Sequence, residues 1–374
     1  MAGFHFEEDS YGLNRLMHQL QALKEIAARP LPGALTYRTL LFLLIVSFGL
    51  AGCKSNPAPT SNSSNQPSAN TTATTATAPT PQPQAQPIAF DGGRAFEHVR
   101  KQVEFGPRPA GSEELARTRE YLINELKSYG FSVTTDEWTA TTPIGPRKMV
   151  NVTAELAGES TDVVMLSSHY DTKYYKKMRF VGANDSGSST GALLEIARVL
   201  KNNNPRPRFT YRFVFFDGEE AFCEGWEQCK NPDGPDNTYG SRRYVAQAQK
   251  QNELPKLRAM ILLDMMGYSD LMLGRDEELS TPWLVDIVWQ TAREMGHSRY
   301  FVNLPESVGG DDHEPFHKAG VTCMDIIQLE TYPFWHTADD TLDKISPQSL
   351  KIVGDVVISS LPRIEQKLLS DKPA

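Results

Sequence analysis

Cysteine is scarce in this chain: only four of the 374 residues are Cys. That is too few for a fold built on disulfide bonds, and no two of them have the spacing of a cysteine zinc site. A bound metal would therefore have to be held by histidine and carboxylate side chains. Basic residues are also in deficit, with 38 Lys and Arg against 46 Asp and Glu and a formal net charge of −8. This is the wrong sign for neutralising phosphates, so we expect no nucleic-acid partner.

The apolar stretch at residues 40–52, LLFLLIVSFGLAG, is too short to cross a bilayer as a helix, which takes ~20 residues. Its length suits the apolar region of a signal peptide. Residues 50–53, LAGC, resemble the bacterial lipoprotein box, in which the cysteine is acylated. We therefore predict a signal segment over residues 1–53, lipidation at Cys53, and an exported protein anchored to a membrane and facing the periplasm or the cell exterior. An uncleaved membrane anchor is the alternative.

The next segment, residues 54–87, is a polar tract. Apart from Lys54, it contains only Ser, Asn, Pro, Ala, Thr and Gln. Such a sequence has almost nothing to bury and cannot offset its loss of conformational entropy on folding. We predict a disordered linker here, followed by one folded domain over residues 88–374.

Within this domain, apolar runs alternate with helical patterns. Strand-like runs rich in β-branched and aromatic residues occupy residues 163–168, 210–216, 257–263 and 321–327. Helical spacing is found over residues 95–103, 113–129, 191–200, 241–250, 282–295 and 346–369. The alternation predicts an α/β fold, with a sheet covered by helices.

Residues with metal-binding chemistry follow the predicted strands. Open α/β sheets bind ligands beyond the carboxyl ends of their strands, where loops from several strands converge. Nitrogen and oxygen ligands from separate loops are typical of a catalytic zinc site. The residues in question are His169, Asp171, Asp185, Glu219, Glu220, Asp264 and His336.

Five motifs carry a resemblance to a known family. They are residues 106–112 (GPRPAGS), 168–174 (SHYDTKY), 215–222 (FFDGEEAF), 311–316 (DDHEPF) and 335–337 (WHT). These motifs resemble those of the zinc peptidases of family M28 and, within it, of the glutaminyl-peptide cyclotransferases. The resemblance spans about residues 92–350 and implies a single domain with a central, mostly parallel but mixed sheet flanked by helices.

The resemblance also implies a role for each site residue. In the cyclotransferases one zinc ion is held by the residues that match Asp185, Glu220 and His336, and Glu219 matches the glutamate that transfers protons. Acids that hydrogen-bond around this glutamate match Asp264 and Asp311. Aromatic residues expected to line the substrate pocket are Trp226 and Trp335, with Phe222 and Phe334 beside them.

The ligand set leaves a second activity open. In the two-metal aminopeptidases of the same family, His169 and Asp264 match ligands of the second metal, and Asp171 would orient His169. Trp335 and the FFDGEEAF motif favour the cyclotransferase. We therefore predict a monomeric enzyme that uses one zinc ion to convert the N-terminal glutamine of peptides or proteins to pyroglutamate with release of ammonia. The alternative is an aminopeptidase with two zinc ions.

Two features depart from the family pattern: Asp325, and the segment 223–229, which places Trp226 one residue later than the spacing in the animal cyclotransferases. Asp325 stands where the animal cyclotransferases have a histidine, so a second acid near the site is expected to orient substrate or help retain a second metal. Because the domain is predicted to be exported, Cys223 and Cys229 are candidates for a disulfide, and two free thiols are the alternative. A solute-binding lipoprotein would share the signal and linker, but would have no need for the adjacent Glu219 and Glu220.

Overall fold

The computed structural model describes residues 89–204, 206–226, 229 and 231–370. The predicted signal segment, Cys53 and the predicted linker lie outside these residues, so they stay predictions. Among the described residues, no helix combines the length and the apolar character needed to cross a membrane.

A six-stranded sheet forms the centre of the domain, with the strand order β1-β2-β4-β3-β5-β8. Its strands are β1 (Ser132–Ala140), β2 (Arg147–Leu156), β3 (Val163–His169), β4 (Thr210–Phe216), β5 (Leu257–Leu263) and β8 (Cys323–Ile326). The pairs β1–β2 and β2–β4 are antiparallel, whereas β4–β3, β3–β5 and β5–β8 are parallel. The short strands β6 (Leu273–Arg275) and β7 (Phe301–Pro305) pair separately.

Helices cover both faces of the sheet. They are α1 (Gly92–Phe105), α2 (Glu113–Ser128), α3 (Gly187–Asn203), α4 (Tyr239–Lys250), α5 (Pro282–Glu294), α6 (Glu314–Lys318) and α7 (Pro347–Ser370). Val164 and Leu166 of β3 belong to one apolar core, and Val163 and Met165 belong to another. Successive strand residues point to opposite faces, so β3 is buried on both sides. This explains why such strands appear in the sequence as unbroken apolar runs.

The predicted α/β class with a mixed, mostly parallel sheet flanked by helices is confirmed. Four strands were not predicted: β1 and β2 of the central sheet, and the short pair β6 and β7. β1 alternates partly and fully exposed residues along most of its length, because it forms one edge of the sheet. The strand predicted over residues 321–327 is shorter in the structure, at Cys323–Ile326.

The topology determines where the site lies. In the parallel part of the sheet, the strands end at the same edge. His169 is the last residue of β3, Asp217 directly follows β4, and Asp264 directly follows β5. Residues far apart in sequence are therefore neighbours at this edge.

Candidate metal centre

Three side chains predicted to bind zinc come together beyond the sheet edge. Ligand atoms of Asp185, Glu220 and His336 all lie within 4.8 Å of one another. His336 Nε2 is 3.2 Å from Glu220 Oε1 and 3.4 Å from Asp185 Oδ2. The two carboxylates are buried, and the His336 side chain is 14% exposed. The group is therefore enclosed by protein, and His336 is the most exposed of its three side chains.

A second group shares Asp185 with the first. Ligand atoms of His169, Asp185 and Asp264 also lie within 4.8 Å of one another, and all three residues are buried. His169 Nε2 is 3.2 Å from Asp264 Oδ1 and 3.3 Å from Asp185 Oδ1. The side chains expected to bind the second ion of a two-metal enzyme therefore also lie close together.

The two adjacent glutamates sit in a turn directly after β4. Gly218 has φ +73°, and a Cβ at this position would meet Met149 Sδ at 2.7 Å, so glycine is required here. Asp171 accepts hydrogen bonds from the Glu219 and Glu220 amides, at 3.1 and 3.3 Å. Its Oδ1 also lies 3.5 Å from His169 Nδ1, as expected for a residue that orients His169. One carboxylate thus fixes the glutamate turn and faces the neighbouring histidine.

Asp340 holds the loop that carries Asp185 and was not predicted from the sequence. It accepts hydrogen bonds from the amides of Asn184 and Asp185, at 2.8 and 3.2 Å. The Tyr332 hydroxyl donates to the same carboxylate at 2.6 Å. Burial and the charge of Asp185 raise the pKa of Asp340 to about 7. The one sequence feature that could have pointed to Asp340 is its position four residues after the predicted zinc ligand His336.

Arg108 holds the same loop from the other side. Its guanidinium is fully buried and donates to the carbonyls of Tyr170, Val181 and Gly182. Arg108 lies in the GPRPAGS motif, to which the sequence assigned no role. Burial lowers the pKa of Arg108 to about 10, although the negative charges of Asp185, Asp340 and Asp171 oppose this shift. The guanidinium charge therefore lies among the site carboxylates.

Glu219 lies beside His169 of the second group, and its charge interacts with that of Glu220 in the first. Its Oε2 is 3.7 Å from His169 Nδ1. Burial raises the pKa of Glu219 well above its usual range, and although His169 opposes this shift, the charges of Asp311 and Glu220 add to it. Asp264 responds in the same way, with burial as the main cause of a pKa of about 7. A carboxyl group with a raised pKa can exchange a proton near neutral pH.

The first group fits a bound zinc ion. Glu220 Oε2 is buried and has no hydrogen-bond partner in the part of the chain that the structure describes, although Lys173 Nζ lies 3.8 Å from it. Burial alone would lower the pKa of His336, but Glu220 and Asp185 raise it to about 9. The Glu220 and Asp185 carboxylates thus favour a positive charge at the position between them and His336. Two carboxylates and one imidazole also match the ligand chemistry of catalytic zinc.

Of the aromatic residues predicted to line the pocket, the two tryptophans lie near the site, and Phe334 packs in a separate apolar cluster. Trp335 stacks on the His336 ring, with centroids 4.1 Å apart and planes 20° apart. Trp226 is half-buried, and its ring lies 5.9 Å from Lys173 Nζ. Both therefore lie against site residues. Phe334 packs against Tyr268 and Tyr332 in a small apolar cluster.

Phe222 packs into the main apolar core, so its pocket role stays a prediction. It is 5% exposed, belongs to the main apolar core, and packs against Tyr174 and Tyr239. Its place in the FFDGEEAF motif is the basis of that prediction. Tyr175 and Phe180, which the sequence did not single out, contact the His336 ring edge-on.

Asp325 and the cysteine pair have definite positions. Asp325 groups with Asp311 and His313, with ligand atoms within 4.8 Å of one another, and is absent from the group that contains His169. The expected help with a second metal is therefore not supported by its position. Cys223 and Cys229 form a disulfide, with Cα atoms 6.1 Å apart.

Comparisons with known proteins identify the family. A model of peptidase family M28 matches residues 151–361, more than half of the chain. The chain belongs to peptidase family M28. The predicted family is therefore confirmed, and with it a zinc-dependent enzyme class.

Relatives within the M28 family include cyclases and a peptidase. A solved glutaminyl cyclase from an Acidobacteriales bacterium is 36% identical, with a TM-score of 0.69, over 78% of this chain and 100% of that one. The glutaminyl-peptide cyclotransferase of Drosophila melanogaster is 28% identical over 66% of this chain and 75% of its own length. A solved Zn-dependent exopeptidase from Parabacteroides distasonis is 27% identical, with a TM-score of 0.67, over 73% of this chain and 98% of that one.

Proposed function

We propose that this M28 enzyme is a glutaminyl-peptide cyclotransferase, which converts an N-terminal glutamine to pyroglutamate with release of ammonia. The observation that carries the proposal is Glu219, a buried carboxyl with a raised pKa that directly precedes the proposed ligand Glu220 and whose Oε2 lies 3.7 Å from His169 Nδ1. Similarity to glutaminyl cyclases supports the same activity. Peptide and protein N-termini are accordingly the substrates.

The reaction needs one proton to move within the substrate. The α-amine nitrogen of glutamine attacks the γ-amide carbon, and the bond from that carbon to the amide nitrogen breaks. Glu219 takes a proton from the attacking amine and returns it to the departing nitrogen, which leaves as ammonia. A raised pKa suits Glu219 for both transfers. A zinc ion bound by Asp185, Glu220 and His336 would supply a Lewis acid for the γ-carbonyl oxygen.

Trp335 and its neighbours restrict water near this chemistry. Its ring covers one face of the His336 imidazole, while Tyr175 and Phe180 contact the same imidazole edge-on. Water takes no part in cyclisation, whereas a peptidase needs a water molecule as nucleophile. An aromatic surround therefore favours the cyclase reaction.

We propose that one zinc ion serves this reaction. In the first group Glu220 Oε2 has no hydrogen-bond partner among the described residues, whereas in the second group Asp264 Oδ1 already accepts a hydrogen bond from the Met265 amide at 2.8 Å. A two-zinc exopeptidase remains the second candidate, because the group of His169, Asp185 and Asp264 has ligand geometry. A zinc analysis of the purified enzyme distinguishes one ion per chain from two.

The decisive experiment offers the zinc-loaded enzyme two substrates, a dipeptide amide that begins with Gln and one that begins with Leu. We expect ammonia release and cyclisation of the first, with the second intact. Free leucine would contradict the proposal and support the exopeptidase. Glu219→Gln should lose at least about 100-fold in kcat while keeping zinc. Glu224→Gln, at an exposed glutamate nearby, is the matched control and should keep full activity.

We further propose that the enzyme acts outside the cytoplasm as a monomer held to a membrane by lipid on Cys53. The lipoprotein-like residues 50–53 and the polar tract over residues 54–87 support this proposal. In this arrangement the tract separates the catalytic domain from the membrane surface.

A further inference from the structure

An exposed basic loop lies beside the proposed metal centre, and its charges have no role in the reaction described above. It covers residues 174–180, between β3 and α3, and Lys176, Lys177 and Arg179 at its tip are exposed. In the part of the chain that the structure describes, none of these three side chains has a hydrogen bond or an ion pair. No acidic residue occurs in the loop, although the chain as a whole has a net charge of −8. The loop thus offers positive charge to a ligand.

The loop is anchored at His336, a proposed zinc ligand. Tyr175 near its start and Phe180 at its end both contact the His336 ring edge-on, with ring centroids 6.3 and 5.9 Å away. These two aromatic rings also contact each other, with centroids 5.7 Å apart, and the Tyr175 hydroxyl donates to the His336 carbonyl at 3.4 Å. The three cations lie in the tip between the two anchors, residues 176–179. They are therefore held next to the metal centre.

The residues that flank the loop are fixed by buried basic side chains. Before the loop, Lys173 is buried and its ammonium group donates to the Ala221 carbonyl at 3.1 Å. After the loop, the carbonyls of Val181 and Gly182 accept from the buried Arg108 guanidinium at 2.6 and 2.9 Å. A surface that is in place before its ligand arrives loses less entropy on binding. The base of the loop is thus pre-organised, while its tip can pair with a ligand.

The substrate has to pass partly exposed residues of the site. Asp185 and Glu220 are buried, so the peptide chain after the N-terminal glutamine reaches solvent past partly exposed neighbours, which include His336, Tyr175 and Trp335. Two extended residues span about 7 Å, and the His336 and Tyr175 ring centroids are 6.3 Å apart. The second and third residues of a substrate are therefore within reach of the loop.

We propose that Lys176, Lys177 and Arg179 recognise acidic side chains, so that the enzyme prefers peptide and protein N-termini with Asp or Glu directly after the glutamine. This inference rests on the proposed cyclotransferase activity and names its preferred substrate class. Carboxylates of the substrate supply the partners that the three cations lack within the described residues, and opposite charges at the rim of a site also speed up encounter. The charge of the exposed acid Glu224 also acts on Tyr175, but one anion cannot neutralise three cations.

Three peptide amides that differ in the two residues after glutamine test the proposal: Gln-Glu-Glu, Gln-Ala-Ala and Gln-Lys-Lys. For the zinc-loaded wild-type enzyme at low ionic strength, we expect kcat/KM for Gln-Glu-Glu to exceed that for Gln-Ala-Ala by about five- to tenfold, because each exposed ion pair contributes modestly. Gln-Lys-Lys should be the poorest substrate. The differences should lie mainly in KM, since the cations contact no reacting atom. Salt at about 0.5 M should reduce the preference to within about twofold by screening the exposed charges.

Reversing the charge of the loop separates recognition from a structural role. A triple variant with Lys176→Glu, Lys177→Glu and Arg179→Glu should prefer Gln-Lys-Lys over Gln-Glu-Glu. Each preference is a ratio of two peptides measured on the same enzyme, so a general loss of activity cancels. Lys250→Glu, at an exposed lysine at the end of α4, is the control and should keep the wild-type preference.

Two results would overturn the inference: equal kcat/KM values for the three peptides in wild type, or a wild-type preference in the triple variant. Failure of the proposed activity has a different signature, because in that case none of the peptides that begin with Gln releases ammonia. An enzyme that cyclises all three peptides equally well contradicts this inference alone.

Discussion

At the scale of single residues, two carboxylates fix the backbone of the loops that carry the proposed ligands. Asp171 accepts from the amides of Glu219 and Glu220, and Asp340 accepts from the amide of Asp185. Hydrogen bonds to a charged acceptor are stronger than those between neutral groups. The ligand side chains are therefore held in position by buried acids that do not themselves belong to the three-ligand group.

Replacing Asp340 tests this arrangement. Asp340→Ala leaves the Asn184 and Asp185 amides and the Tyr332 hydroxyl without their acceptor. We expect the free energy of unfolding to fall by about 1–3 kcal/mol, because buried donors lose their partner. Zinc affinity should fall about 10- to 100-fold, as for other residues that orient metal ligands. Urea unfolding and competition with a chelator measure the two effects.

The control for this prediction is Asp339→Ala, since Asp339 is the exposed neighbour of Asp340. It should keep both stability and zinc affinity. An Asp340→Ala protein with wild-type zinc affinity would show that the Asp185 loop holds its position without this carboxylate.

The site residues differ in how far the sequence could predict them. Asp264 directly follows one predicted strand, and Glu219 and Glu220 come shortly after another, so the convergence of parallel strand ends was enough to group them. Asp340 and Arg108 act through backbone atoms of the Asp185 loop, from 155 residues later and about 70 residues earlier in the chain. No local pattern marks such contacts, because they depend on how the loops pack.

At the scale of secondary-structure elements, burial decides which strands could be predicted from the sequence. β3, β4 and β5 are buried on both faces and appear as apolar runs, so their bounds were predicted within one residue. β1 and β2 carry many exposed or half-exposed polar residues near the sheet edge. β1 and β2 form strands because they pair with each other, and their apolar pattern alone does not predict this.

Helix α1 contributes a pH-dependent element through His98. The imidazole is 5% exposed, and its two nitrogens lie 2.6 Å from the Tyr121 hydroxyl and 3.2 Å from the Tyr129 hydroxyl. Burial lowers the pKa of His98 to about 4. In the unfolded chain its pKa is about 6.5, so between these values the unfolded state binds more protons. Stability should therefore fall as the pH falls through this window, by about 3 kcal/mol in total.

Urea unfolding at pH 7 and pH 4.5 checks this prediction by comparing wild type with His98→Gln. The variant should be less stable at pH 7, because the contacts with Tyr121 and Tyr129 are altered. It should also lose less stability than wild type between the two pH values. Carboxyl groups titrate in both proteins, so the difference between them isolates His98. Equal pH dependence in the two proteins would contradict the assignment.

At the scale of the whole molecule, the metal centre links loops from distant parts of the chain. Asp185 precedes α3, Glu220 follows β4, and His336 lies between β8 and α7. A zinc ion that binds only the folded chain stabilises it by about 2.7 kcal/mol when free zinc is 100 times its dissociation constant. We therefore expect a chelator to lower the melting temperature of wild type. Glu220→Ala, which lacks a proposed ligand, should show a much smaller shift, and an equal shift in both would argue against this site.

The location of the molecule depends on residues outside the described structure. If Cys53 is acylated, the mature chain begins at that residue, and the polar tract over residues 54–87 connects the lipid to the catalytic domain. We expect a fatty-acid analogue to label the wild-type protein in a bacterial host and the protein to remain with the membrane fraction.

Cys53→Ser should remove the label. A purified domain that starts near residue 88 should keep wild-type kcat, since no proposed site residue precedes it. Mass spectrometry of the wild-type N-terminus can contradict this prediction. A chain that retains residues 1–52 would exclude lipoprotein processing and favour an uncleaved anchor.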